Sequence, residues 1–216
     1  FNGFGGLASA LVAGSEFVRA DGFDLPGETI TTVVISVAIG ALTFTGSFIA
    51  FAKLQGIMGG APVTYPAQKV VNTVLGAGLI GVGIWTALGQ DALPFWIGGA
   101  IALILGVLLV IPIGGADMPV VIALLNSFSG LAAAATGFVI SNSALIIGGA
   151  LVGASGLILT NLMCEAMNRP LSNVLFGAFG GADSGGSGGG AAGGGDVRTT
   201  SPADLAIAMT YADQVV

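Results

Sequence analysis

Residues 101–113 read IALILGVLLVIPI, a run with no charged or polar side chain. It belongs to one of six apolar segments, at 1–18, 30–54, 68–89, 94–113, 117–140 and 143–167. A run of this length has no polar face to turn toward water. It must be buried in a large core or in lipid. Breaking or charged residues bound the segments: Asp21 to Pro26, Gly59 to Pro62, Asp91 with Pro94, Gly114 to Asp117, and Asn168 to Pro170. A soluble domain carries about a quarter charged residues, whereas here they are 7% of 216, with 54% hydrophobic. Too little polar surface exists to wrap a soluble globule.

At 1.5 Å per residue, five of the segments can cross a hydrocarbon layer of about 30 Å. The first, with Glu16 near its end, is marginal. Barrel strands would alternate in polarity, and these segments do not. The 38 glycines suit helices that pack closely in lipid. The fold class expected is an all-α membrane protein, a polytopic bundle of about six transmembrane helices.

The net charge of −6 argues against a nucleic-acid partner. One cysteine, Cys164, excludes an intramolecular disulfide. With no histidine in the chain, Ser-His-Asp catalysis, a His-ligated metal and a His proton relay are excluded within it.

Basic residues set the orientation. Alternating spans give one side Lys53, Lys69, Arg169 and a tail with Arg198; the other receives Arg19 beside Asp21, Asp24, Glu28 and Asp91. The positive-inside rule then places loops 55–67 and 114–116 and the C-terminus in the cytoplasm.

After Phe179 the composition changes to GGADSGGSGGGAAGGG, a flexible coil by composition. Three parts are expected: a transmembrane domain over 1–179, a Gly/Ser-rich linker over 180–200, and at 201–216 the start of a soluble domain. In SPADLAIAMTYADQVV, Ser201 suits a cap, Pro202 the first helical position and Asp204 the first turn.

The chain opens FNGFGGLASA, and 125–134 read LNSFSGLAAA. Without gaps, Asn2 matches Asn126, Phe4 matches Phe128, and Gly6-Leu7-Ala8 matches Gly130-Leu131-Ala132. Further on, Gly40-Ala41 stands against Gly153-Ala154. Four spans separate the two starts, so the repeat is parallel. Asn126 lies about 13 Å into its helix, counted from Asp117. The first helix is therefore expected to extend about two turns upstream of Phe1, and the chain to be truncated at both ends.

Two hexapeptides, GAGLIG (76–81) and GGGAAG (188–193), match the dinucleotide fingerprint G-x-G-x-x-G. That motif functions at a strand-to-helix turn. One lies inside an apolar helix and reads as a packing face; the other is linker. Small residues four apart at Gly6, Ala10 and Gly14, at Ala133 and Gly137, and at Gly149 and Gly153 read as close helix contacts.

Polar residues within spans carry the functional expectation, because an unsatisfied amide in lipid is costly. Asn72, Asn126, Ser127, Thr160 and Asn161 are candidates for lining a proton path; interhelical hydrogen bonds are the structural alternative. No carboxylate, Lys or His lies at a helix centre, so an ionisable relay group must come from another chain. Asp117 at a helix start, Glu165, and Arg169 after the last span are candidates for coupling to a soluble domain. Solvated caps and charge anchors are the alternative there.

PIGGADMPVVIALLNSFSGLAAAATGF (112–138), ALVGASGLILTNLMCEAMNRPL (150–171) and LTFTGSFIAFAKLQG (42–56) resemble the membrane domain of the β subunit of proton-translocating NAD(P) transhydrogenase. The resemblance implies hydride transfer between NAD(H) and NADP(H) coupled to proton translocation. No cofactor is expected on these residues: NAD(H) would bind a partner α subunit and NADP(H) a domain beyond Val216. It further implies a dimer of α/β protomers, multi-pass insertion in a bacterial inner membrane, and further helices upstream.

Many relatives have a membrane-embedded His in the segment matching YPAQKVVN. Lys69 stands there, and the relay role is not carried over to it. Many also have an acidic residue at the position of Ser143. A secondary-transporter half and a structural membrane subunit are the rival readings.

Overall fold

The computed structural model describes residues 1–20, 25–89 and 91–176. The linker 180–200 and the segment 201–216 lie outside the described residues. Within those residues the chain is helical, with no strand: α1 (Asn2–Arg19), α2 (Gly27–Leu54), α3 (Gln68–Gly89), α4 (Ala92–Val110), α5 (Met118–Val139), α6 (Ser143–Ala166) and the short α7 (Leu171–Phe176). A 3-10 turn, Gly115–Asp117, leads into α5.

Among the described residues five helices, α2 to α6, are long and apolar enough to cross a membrane. The 18-residue α1, the marginal first segment, packs among them. The ends follow local chemistry. Pro119 occupies the first turn of α5, where a missing N–H is harmless. The Asn142 side chain caps α6, accepting from the Leu145 amide at 3.1 Å. Helix α2, at 28 residues, is about 42 Å long and packs against α1, α3, α4 and α5.

Two apolar clusters hold the ends of the bundle. Phe17 and Phe95 stack at 4.0 Å beside Ala13, Ile30 and Val33. At the other end, Ala50, Val110, Ile113, Met118, Val120, Val121, Leu125, Cys164 and Val174 pack together.

Between these clusters the helices close up on glycine. A Cβ on Gly6 would lie 2.8 Å from the Gly40 carbonyl oxygen, and one on Gly130 would meet the Gly153 amide and, at 2.9 Å, the Gly149 oxygen. The α1–α2 and α5–α6 crossings therefore fall on glycines that the repeat alignment sets opposite one another, Gly6 with Gly130 and Gly40 with Gly153. Helices α1 and α5 also run in the same direction: Asn2 meets Ser129 and Ser9 meets Thr136, each pair 127 residues apart. By contrast, Gly76, Gly78 and Gly81 have no neighbour within 4 Å. The close helix contact expected at the glycines of GAGLIG is not made among the described residues.

Candidate functional site

Ser36, Gly40, Thr43 and Ser47 recur at helical spacing on α2, a single face that looks into the seam between α1 and α5. Gly40 lets α1 approach, and the hydroxyls have little room to turn elsewhere. At one end Ser36 Oγ lies 2.6 Å from Thr136 Oγ1, and both hydroxyls reach the Ser9 and Ala132 carbonyls at 2.9–3.4 Å. About 16 Å along α2, Asn2 Nδ2 donates to Ser47 Oγ at 3.2 Å. Ser129 Oγ donates to Asn2 Oδ1 and approaches the Asn126 carbonyl at 2.9 Å. Between these two groups, Thr43 Oγ1 is buried without a hydrogen-bond partner among the described residues. Asn2 and Ser47 are the polar members of an otherwise apolar groove of about 320 Å³ that runs past Phe51 to Leu54 and Ile122.

The sequence candidates do not form one line. Asn126 is exposed on α5, and Asn161 is exposed on α6; neither side chain has a hydrogen bond among the described residues. Ser127 Oγ donates across to the Gly153 carbonyl at 2.6 Å. Thr160 donates within its own helix to the Gly156 oxygen at 2.8 Å. Asn72 lies apart at the start of α3, accepting from Tyr65 Oη at 2.7 Å and donating to the Leu108 carbonyl at 3.4 Å.

At the end where α2, α4 and α6 finish, Arg169 Nη1 donates to Asp117 Oδ1 at 2.7 Å. Glu165 is exposed and takes part in no ion pair among the described residues. Asp117, rather than the nearer Glu165, holds the arginine. The turn after α6 decides this: the Arg169 amide bonds back to the Cys164 carbonyl, and Asn168 adopts φ 51°.

A family model described as NAD(P) transhydrogenase beta subunit matches residues 1–216, the whole chain. The chain belongs to the NAD(P) transhydrogenase beta subunit family. The NAD(P) transhydrogenase subunit beta of Rhodospirillum rubrum is 42% identical over 224 residues, covering 100% of this chain and 48% of that protein. The subunit from a named strain of the same species gives the same values. This chain thus spans about half the length of the curated relatives it matches.

In this beta-subunit family member the connection into α5 rests on Lys53. Its side chain is 4% exposed, and Nζ donates to the carbonyls of Ile111, Ile113 at 2.7 Å and Ala61 at 3.4 Å. Burying an ammonium costs several kcal/mol unless its protons are satisfied. Three carbonyl acceptors and the negative ends of α2 and α4 offset that cost. In the sequence Lys53 reads only as an orienting charge. Lys69, by contrast, is exposed at the start of α3. Nearby, burial pushes the Tyr65 phenol up from its ordinary value, against a smaller lowering by its bond to Asn72.

Sequence reasoning overlooked Ser36, Thr43, Ser47, Ser129 and Thr136 as a group. The helical spacing on α2 carried the signal, and the match of Asn2 to Asn126 pointed at the same seam.

Proposed function

We propose that this chain is the membrane part of a proton-translocating NAD(P) transhydrogenase. The complex transfers hydride between NAD(H) and NADP(H), both bound outside residues 1–216. The partners are an α subunit carrying the NAD(H) site and further helices, and the chain's own NADP(H) domain, for which 180–200 is the tether and 201–216 the lead-in. The assembly is a dimer of α/β protomers in a bacterial inner membrane, with the C-terminus cytoplasmic.

The observation that carries this reading is the polar seam in an otherwise apolar bundle. Small hydroxyls and an amide recur along α1, α2 and α5, from Ser36 and Thr136 to Asn2, Ser47 and Ser129, without an ionisable group among them. Such a file conducts protons through rearranging hydrogen bonds and water. The titrating group is supplied by a partner helix beside the exposed Asn126. Ser127, Thr160, Asn161 and Asn72 complete the candidate path residues. Asp117, Arg169 and Glu165 form the coupling face. Protonation within the membrane favours one arrangement of that face, and with it one docking position of the NADP(H) domain.

The test uses membranes holding the intact complex. Hydride transfer from NADH to an NADP⁺ analogue is followed while internal pH is recorded, with and without an uncoupler. Proton movement that accompanies transfer, and a rate that responds to the uncoupler, are expected. Transfer indifferent to the uncoupler, or none, would overturn the reading.

A further inference from the structure

Lys53 occupies the last turn of α2, the helix whose other turns supply Ser36, Thr43 and Ser47 to the seam. The three carbonyls that it binds belong to two other segments, the connection after α4 and loop 55–67. Those segments are tied to each other as well: the Gly115 amide donates to the Gly60 carbonyl at 2.8 Å, and the Val63 amide to Ile111 at 3.3 Å. The connection then tightens into the Gly115–Asp117 turn, with the Asp117 amide on the Gly114 carbonyl at 3.1 Å. It ends at the carboxylate that holds Arg169. Among the described residues no carboxylate lies within ion-pair distance of Lys53. The ammonium is therefore committed to backbone, and its geometry fixes where the 111–117 connection sits relative to α2.

We infer that Lys53 is a positioning residue that carries displacement of α2 to the Asp117–Arg169 pair, and so links the polar seam to the docking face. The inference rests on the proton-linked reading above. Apolar contacts alone would let the connection slide, because they have no preferred direction. A cation shared by three carbonyls has one.

The experiment uses the complete complex in native membranes, with Lys53→Met and Lys53→Arg compared with wild type. Where Lys53→Met does not assemble, Lys53→Gln replaces it, keeping an N–H donor without the charge. Two quantities are read: amide hydrogen exchange over 111–117, and the uncoupler-responsive part of hydride transfer. Loss of charge-assisted bonds of this kind should raise exchange about tenfold and lower the proton-linked rate about tenfold. Lys53→Arg, which retains charge and donors, should recover most of both.

Wild-type exchange and wild-type coupling in Lys53→Met would overturn the inference. Raised exchange with unchanged coupling would overturn it too, since the connection would then not be the conduit. Equal damage from Met and Arg would reduce Lys53 to a packing role. If the wild-type complex itself shows no proton-linked transfer, the functional reading fails, and this inference with it.

Discussion

Arg169 Nη1 donates to both carboxylate oxygens of Asp117, at 2.7 and 3.0 Å, across 52 residues of chain. The Asp117 side chain is 13% exposed and that of Arg169 45%. With its arginine half-exposed, the pair is partly screened by solvent and contributes about 1 kcal/mol to stability. Asp117→Asn should therefore leave the melting of the complex in detergent nearly unchanged. Its effect should appear in coupling: the uncoupler-responsive hydride transfer should fall about tenfold, as for loss of a charged hydrogen bond. A melting loss with intact coupling would make the pair purely structural.

The glycine crossings make an opposite kind of claim. A Cβ on Gly6 would meet the Gly40 carbonyl oxygen at 2.8 Å and the Thr43 side chain at 3.1 Å, and the backbone oxygen cannot swing aside to admit a methyl group. Gly6→Ala should cost about 1–3 kcal/mol by overpacking. Gly76→Ala meets nothing within 4 Å and should be neutral or stabilising by up to about 1 kcal/mol from helix propensity. Unfolding of both variants in mixed micelles compares them directly; equal losses would contradict the packing described.

Thr136→Val keeps shape and removes one hydroxyl from the Ser36 junction. Ser36 retains the Ala132 carbonyl at 3.1 Å, so no buried donor is stranded. The expected loss is about 0.6–1.5 kcal/mol in the same unfolding assay. Ser36→Ala should cost a similar amount. The double variant should cost less than the sum, because the two hydroxyls share one bond.

Tyr65 gives a pH dependence. Its phenol ionises at higher pH in the folded chain than in the unfolded one, chiefly through burial. Above an unfolded pKa of about 10 the unfolded chain loses the proton first, so stability should fall as pH rises through that value toward the folded pKa. Below it the contribution is complete. Tyr65→Phe should flatten this alkaline slope. Leaving the Asn72 oxygen without its donor should cost about 1 kcal/mol at neutral pH. Phenolate absorbance followed against pH, with Tyr65→Phe as reference, checks the direction.

Asn2→Ala should slow proton-linked hydride transfer about tenfold, the scale of a lost hydrogen bond of about 1–1.5 kcal/mol in a path, and Asn126→Ala should slow it through lost contact with the proposed partner helix. Asn161→Ala, on the outer side of α6, should slow it less. The order of the three variants in coupled transfer, at equal amounts of complex, is the measurement. Asn161 leading the order would move the path to α6.

The apolar helices, the repeat, and the family expectation that the match confirmed are all legible in the order of amino acids alone. These are local or composition-level properties: apolar length fixes what can cross lipid, and Pro119 and Asn142 mark helix starts wherever the helices lie. Gly6 and Gly153 were legible as contacts and Gly130 and Gly40 as their repeat counterparts, though not which glycine meets which. Tertiary structure alone decided which polar groups meet. It sent Asn126 and Asn161 outward, gathered Asn2, Ser47 and Ser129 from three helices, gave Arg169 to Asp117 instead of Glu165, and buried Lys53 among carbonyls. The physical reason is that a hydrogen bond depends on tenths of an ångström and on helix rotation. Helical periodicity fixes which residues share a face; only the packing of that face on its neighbours fixes what it meets.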